Sequence, residues 1–154
     1  MQRARFEQRV SLITIGVSDI SRARKFYVDG LGWQPVFEQA DIVFIQLNAI
    51  VVGLWSRDNL AKDAGLTAGE PADKMTRADS ANIALAYNTR SREEVDTLLN
   101  LAKESGAKLP APAEEKPWGG YSGYFVDPDG HLWEVAWNPG FQLDADGKVT
   151  FGLS

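Results

Sequence analysis

One pattern occurs twice in this chain, and it limits the possible folds more than any other feature: a β-rich run, a short turn, an amphipathic helix closed by glycine, then further β-rich runs. LITIGV (12–17) leads into SDISRARKFYVDGLGW, and NIALAY (82–87) leads into NTRSREEVDTLLNLAKESGAK. In the first helix, expected over Ser21 to Leu31, residues Ile20, Ala23, Phe26 and Tyr27 recur at helical spacing, and Ser18 or Asp19 is placed to cap it. In the second, expected over Arg92 to Ser105, Val95, Leu98, Leu99 and Ala102 form the apolar stripe, and Ser91 with Glu94 reads as a capping box. Gly30 or Gly32, and Gly106, stand where a glycine would end each helix.

Strand-like runs follow each helix. After the first they are QPVFEQ, IVFIQL and IVVGLW; after the second the clear pair is GYSGYFV and HLWEVAW. Asp127-Pro128-Asp129-Gly130 joins that pair: proline presets the first turn dihedral and glycine accepts the left-handed one, so a hairpin is expected. If its loop has three residues, Asp127 pairs with His131 and Tyr124 falls opposite Glu134; a slip of one residue would turn Tyr124 away. The chain therefore divides into a βαβββ module over 10–56, a linker over 57–81, a second βαβββ module over 82–140 and a tail over 141–154. The linker should hold a short helix near Arg57 to Ala64 before a Gly/Pro/Ala-rich exposed stretch, and the tail has a turn at Asp144-Ala145-Asp146-Gly147 before KVTF. On the repeat alone, the fold class is α+β.

Composition sets the outer limits. A chain of 154 residues, 44% hydrophobic and 24% charged, can bury a core as one domain. The absence of cysteine excludes disulfides, thiolate metal sites and a cysteine nucleophile. A net charge of -5 with no Lys/Arg block argues against nucleic-acid binding. No apolar segment follows the N-terminal arginines, and the most apolar stretch, Ile42 to Trp55, is too short and too interrupted to span a bilayer. A cytoplasmic protein with no membrane association is the expectation.

The repeated βαβββ unit, the SDISRARKFYVDGLGW helix and above all the YFVDPDGHLWEV hairpin resemble the vicinal oxygen chelate superfamily of glyoxalase, bleomycin-resistance and extradiol dioxygenase proteins, over roughly Val10 to Gly140. The resemblance implies that the strands curve into a cup with the helices on its outer face. It also implies that metal-dependent members place ligands on the first and last strands of each module. Most of those positions fail here. Ile13 and Ile15 match Ile83 and Leu85, so the first-strand positions fall on Leu12 and Asn82. Leucine cannot ligate, and asparagine is a weak oxygen ligand. The last strand of the first module, within Ile50 to Trp55, offers no His, Asp, Glu or Gln, and Glu134 alone survives. No metal and no cofactor are expected, since a Zn or Fe site draws on about three His or carboxylate ligands.

Strand alternation then assigns faces: with Leu12 and Asn82 inward, so are Thr14, Gly16, Ala84 and Ala86, while Ile13, Ile15, Val17, Ile83, Leu85 and Tyr87 face the helices. The small inward residues fit either a ligand space or the closure of a tightly curved sheet. Glu134 is the candidate catalytic or ligand-holding group: in an apolar cup its carboxyl pKa would rise, or it would pair with a buried donor. Tyr124, Trp55, Trp118, Asn82, Leu12 and Thr14 are the further candidate ligand contacts; Trp133, Trp137 and Trp33 belong to the core. His131, the single histidine, is expected on a solvent-exposed turn flank. Gly119-Gly120 lacks phosphate-loop spacing and reads as a flexible lip, and Arg90 to Asp96 as the solvated start of a helix.

The resulting expectation is a glyoxalase/bleomycin-resistance-like protein without a complete metal site that binds or sequesters a small organic molecule. The alternatives are a metal-dependent lyase, isomerase or dioxygenase, and a metal-free acid/base enzyme using Glu134. A homodimer is expected, because relatives pair modules between chains and a four-stranded module exposes its edges.

Overall fold

The structure is a computed structural model and describes residues 5, 7–8, 10–65 and 83–151. Its elements run β1 (Leu12–Val17), α1 (Ile20–Arg24) continued by a π-helical turn (Lys25–Gly30), β2 (Pro35–Gln39), β3 (Ile42–Gln46), β4 (Val51–Ser56) and α2 (Arg57–Asp63). After the linker come β5 (Leu85–Asn88), α3 (Arg92–Glu104), β6 (Lys108–Glu115), β7 (Tyr121–Val126), β8 (Leu132–Trp137), β9 (Phe141–Leu143) and β10 (Val149–Phe151). The repeat is visible in the topology. Both four-stranded sheets have the same order, β1-β4-β3-β2 and β5-β8-β7-β6, and in each the first strand lies parallel to the last. The fold is α+β, and β9 and β10 form a separate hairpin.

Local chemistry explains the elements and their departures from expectation. Asp19, not Ser18, caps α1 by accepting from the Arg22 N–H at 3.0 Å. The first helix begins at Ile20 and widens to π geometry, ending at Gly30 rather than Leu31. Gly32 (φ +79°) and Gly106 (φ +113°) take the positive-φ positions after the two helices. Gly30 is small for another reason. A Cβ there would lie 2.6 Å from Ser105 Cβ, so a side chain would force the two helix ends apart. Ser91 Oγ accepts from Glu94 N at 3.2 Å, while the Glu94 carboxylate reaches Arg90 N rather than Ser91 N, at 2.7 Å. The charge run at 90–96 is more than a solvated surface. Arg90 donates to the Asp144 carbonyl in the β9–β10 turn, and Arg92 lies 4.8 Å from the Trp137 ring centroid. Pro110 and Pro112 disguise β6 in the sequence; it is an edge strand with two register shifts, where missing N–H donors are tolerated.

The helix-facing residues of both sheets meet in one core. Ile15, Val17, Val43, Ile45, Val52 and Leu54 pack with Ala23, Phe26 and Tyr27, and Phe125, Trp133 and Val135 pack with Val95, Leu99 and Ala102. The halves are joined by aromatic contacts, Phe26 to Phe125 at 6.1 Å and Trp33 to Trp133 at 5.8 Å. Ile83, expected to face the helices, is instead 75% exposed: β5 begins two residues later, so Ile83 lies outside the paired strand.

The β7–β8 loop bolts one module to the other. The buried Tyr27 hydroxyl donates to Asp127 Oδ2 at 2.6 Å and accepts from Trp133 Nε1 at 3.1 Å. Asp127 Oδ1 receives the backbone N–H groups of Asp129 and His131, which fixes the loop. Asp129 Oδ1 then accepts from Ser18 N, Ser18 Oγ and Arg22 Nη2 at 2.8–3.0 Å. His131 is not a free turn residue. Its Nε2 lies 3.0 Å from the Gly16 carbonyl, which can only accept, so Nε2 carries the proton.

Burial alone would raise the Asp129 carboxyl pKa, but the Ser18 and Arg22 donors outweigh it and hold the group below the ordinary range. A lowered native pKa contributes stability above the unfolded value of about 4, which is lost as pH falls through the native value. Asp129→Asn should therefore cost about 1–3 kcal/mol at neutral pH. Thermal melts should show the gap from wild type closing as pH drops below about 4.

Candidate functional site

The faces turned away from the shared core are the cup faces. On the first sheet, alternation and pairing place Leu12, Thr14 and Gly16 of β1, Val51, Gly53 and Trp55 of β4, and Ile42 and Phe44 of β3 on that side. On the second they place Ala86 of β5, Ser122 and Tyr124 of β7, and Leu132, Glu134 and Ala136 of β8 there. No strand of one sheet pairs with a strand of the other among the described residues.

The small residues on these faces serve different ends. A Cβ at Gly16 would meet Leu60 at 3.3 Å, because α2 folds over that end of the face. A Cβ at Gly53 would meet the Phe44 ring at 3.0 Å. These two glycines admit packing, not ligand. Ala86 is exposed and lies beside Glu134 in the parallel β5–β8 register.

The second sheet carries the candidate carboxylate. Asp127 N donates to the His131 carbonyl at 3.0 Å, which closes a three-residue loop and sets Tyr124 directly opposite Glu134. The Tyr124 hydroxyl donates to Glu134 Oε2 at 3.0 Å. Burial, then the bond to Glu134, raises the Tyr124 pKa, so the phenol keeps its proton and that proton is committed to the carboxylate. Glu134 Oε1 has no partner among the described residues. Ser122, two residues from Tyr124 on the same face, is buried with an Oγ that has no hydrogen-bond partner among the described residues. The candidates drawn from the sequence omit Ser122, although the alternation that places Tyr124 in the cup also places it there.

The other candidates are more dispersed. Trp55 occupies the position in the first sheet that Glu134 occupies in the second, since Gly16 pairs with Trp55 as Ala86 pairs with Glu134. Its indole N–H lies 3.4 Å from Asp41 Oδ2. Thr14 lies beside Gly53, and Leu12 is at the exposed start of β1. Trp118, 49% exposed, folds its ring over Gly120 in the β6–β7 turn. Asn82 lies outside the described residues.

A metal does not fit this donor set. Leu12 and Trp55 occupy the first-module positions, Glu134 has one oxygen engaged by Tyr124, and no three His, Cys, Asp or Glu side chains converge among the described residues. Also among those residues, no helix is long and apolar enough to cross a membrane.

Comparison with known proteins agrees with this fold. Residues 9–135 match the model of the Glyoxalase/Bleomycin resistance protein/Dioxygenase superfamily. A crystal structure described as a glyoxalase-related enzyme from Fulvimarina pelagi is 39% identical, covers 96% of this chain and 100% of its own, and superposes with a TM-score of 0.84. A glyoxalase/bleomycin resistance protein/dioxygenase from Nocardioides (20% identity, 92% and 93% coverage, TM-score 0.70) shares the fold. So does a lactoylglutathione lyase from Agrobacterium tumefaciens (19%, 86% and 95%, 0.63). A comparison with curated proteins finds no match.

Structural Zn sites draw about 10–16 kcal/mol from a full ligand set, and one carboxylate supplies nothing comparable. Elemental analysis should therefore find no stoichiometric Zn, Ni, Fe or Mn, and chelator should leave the melting temperature unchanged. One transition metal per chain, released by Glu134→Gln, would contradict the reading.

Proposed function

This chain belongs to the Glyoxalase/Bleomycin resistance protein/Dioxygenase superfamily, and from that footing we propose that it binds a small organic molecule in its cup without a metal. The observation that carries this reading is the Tyr124–Glu134 pair, a half-buried carboxylate with one oxygen held by Tyr124 and the other without a partner among the described residues. Such a group accepts a hydrogen bond from an amine or hydroxyl of a ligand, and the interaction strengthens when the ligand is cationic. Among the described residues, Glu134 is the one charged group on the cup face of β5, β7 and β8, while Lys108 and Glu114 pair with Val126 and Ser122 on the edge strand β6.

The cup is completed by a second copy of the chain in this reading. Both sheets spend their helix faces on the shared core, and among the described residues no strand of one sheet pairs with the other to close the cup. The first-sheet face offers the apolar wall (Trp55, Phe44, Thr14 and Leu12), and the second offers the acceptor. A homodimer that sets one against the other makes a site of the usual kind, mostly apolar with a few placed polar groups. The cytoplasm is the compartment proposed.

A second reading is favoured by the 39% identity to a structure described as a glyoxalase-related enzyme. In it, Glu134 takes and returns a proton as a metal-free general base, with Tyr124 holding its orientation.

Screening small aromatic amines and alcohols by NMR, then titrating the hits by calorimetry, tests the proposal. Glu134→Gln should weaken binding at least about tenfold, the value of one charged hydrogen bond. Ligands that bind Glu134→Gln and wild type equally would remove Glu134 from the site. Turnover of a hit, abolished in Glu134→Gln with affinity retained, would establish the enzyme instead.

A further inference from the structure

The aromatic joint between the modules leaves a space that the cup does not use. Leu31 and Trp33 of the first module line a half-open cavity of about 100 Å³ together with Tyr87, Leu98, Phe125 and Trp133 of the second. Leu101, Ala102 and Val135 complete the wall, and no charged side chain lines it. The cavity lies on the helix face of the second sheet, whereas Glu134 projects from the opposite face of the same strand.

We propose that this cavity is a second binding site, for a small uncharged ring compound. Three features select that class. A dry apolar cavity of about 150 Å³ takes up benzene, so one of about two-thirds that volume that is also half-open, and lets part of the ring project from its mouth, suits at most a single ring. Its walls are aromatic and already arranged, with Phe125 stacked on Trp133 at 5.9 Å and Trp33 edge-on to Trp133 at 5.8 Å, so a ring continues an existing stack. The absence of charge in the lining rejects ions, which would lose their hydration without a partner. At the mouth, Tyr87 and Leu101 are 43% and 37% exposed. The Tyr87 hydroxyl has no hydrogen-bond partner among the described residues, and it supplies one polar contact for a ring bearing a hydroxyl or carbonyl group. Because the walls come from both modules, a bound ring would also brace the joint between them.

Benzene and phenol are the probes, applied to the full chain with the methyl groups of Leu31, Leu98 and Leu101 followed by NMR. At millimolar probe those methyls should shift and saturate, and the melting temperature should rise. Leu98→Phe, which fills the cavity, should weaken uptake at least about tenfold. Leu101→Lys, a surface change that sets a cation at the mouth, should weaken benzene uptake while leaving the fold intact. Glu134→Gln should leave uptake unchanged, which separates this site from the cup. Absent or non-saturating shifts, or equal uptake by wild type and both cavity variants, would overturn the proposal. So would uptake seen only after residues 66–82 are replaced by a Gly/Ser linker, because that segment would then be the occupant.

Discussion

The structure depends on one buried hydroxyl. Tyr27 sits in the π-helical turn of the first module, and its oxygen both donates to Asp127 and accepts from Trp133 in the second. Removing it would leave a carboxylate oxygen and an indole N–H buried without partners, each costing about 1–3 kcal/mol. Asp127 in turn shapes the loop that presents Asp129 to Ser18 and Arg22 and His131 to Gly16. The segment that most resembles the superfamily is thus the fastening between the modules. Its conspicuous Asp and His side chains are structural partners, and the proposed site rests instead on the quieter Glu134, further along β8.

How much of this is legible in the sequence follows from the range of the interactions involved. The two helices rest on spacing within a few residues and the sequence carries them openly, whereas the choice of cap at Ser18 or Asp19 and the Tyr124–Glu134 register, which hangs on the loop length, are settled only in the fold. His131 escapes a sequence reading because its partner, Gly16, lies 115 residues away. A turn-flanking histidine looks free until the other module is in place. Arg90 and Arg92 look solvated for the same reason, since their partners belong to the tail and to β7 and β8. Two prolines obscure β6, and only its edge position makes them acceptable. Gly16 and Gly53 are legible as small but not as small for packing, because Leu60 and Phe44 meet them only in three dimensions.

Placing the helices of both modules in one core has a consequence for function. A sheet has two faces, and once the helix face of each is largely committed to the core, the remaining face is the broad surface left to meet a ligand or a second chain. On the first sheet that face is aromatic and aliphatic; on the second it bears Ser122, Tyr124 and Glu134. The chemical asymmetry between two topologically identical sheets is the reason for reading them as the two walls of one site. The raised Tyr124 pKa keeps the proton on the phenol, which donates it in a hydrogen bond to Glu134 Oε2.

The most direct measurement of whether two chains share one cup is cross-linking between the two cup faces. The native chain has no cysteine, so single substitutions can be labelled uniquely. Chains carrying Thr14→Cys are mixed with chains carrying Ala86→Cys and treated with a short bis-maleimide. The expected product is a covalent dimer of one chain of each kind, with no internal cross-link when both substitutions share a chain diluted to monomer. Efficient cross-linking within a single diluted chain, with no product between chains, would show that each chain closes its own cup and would contradict the shared site.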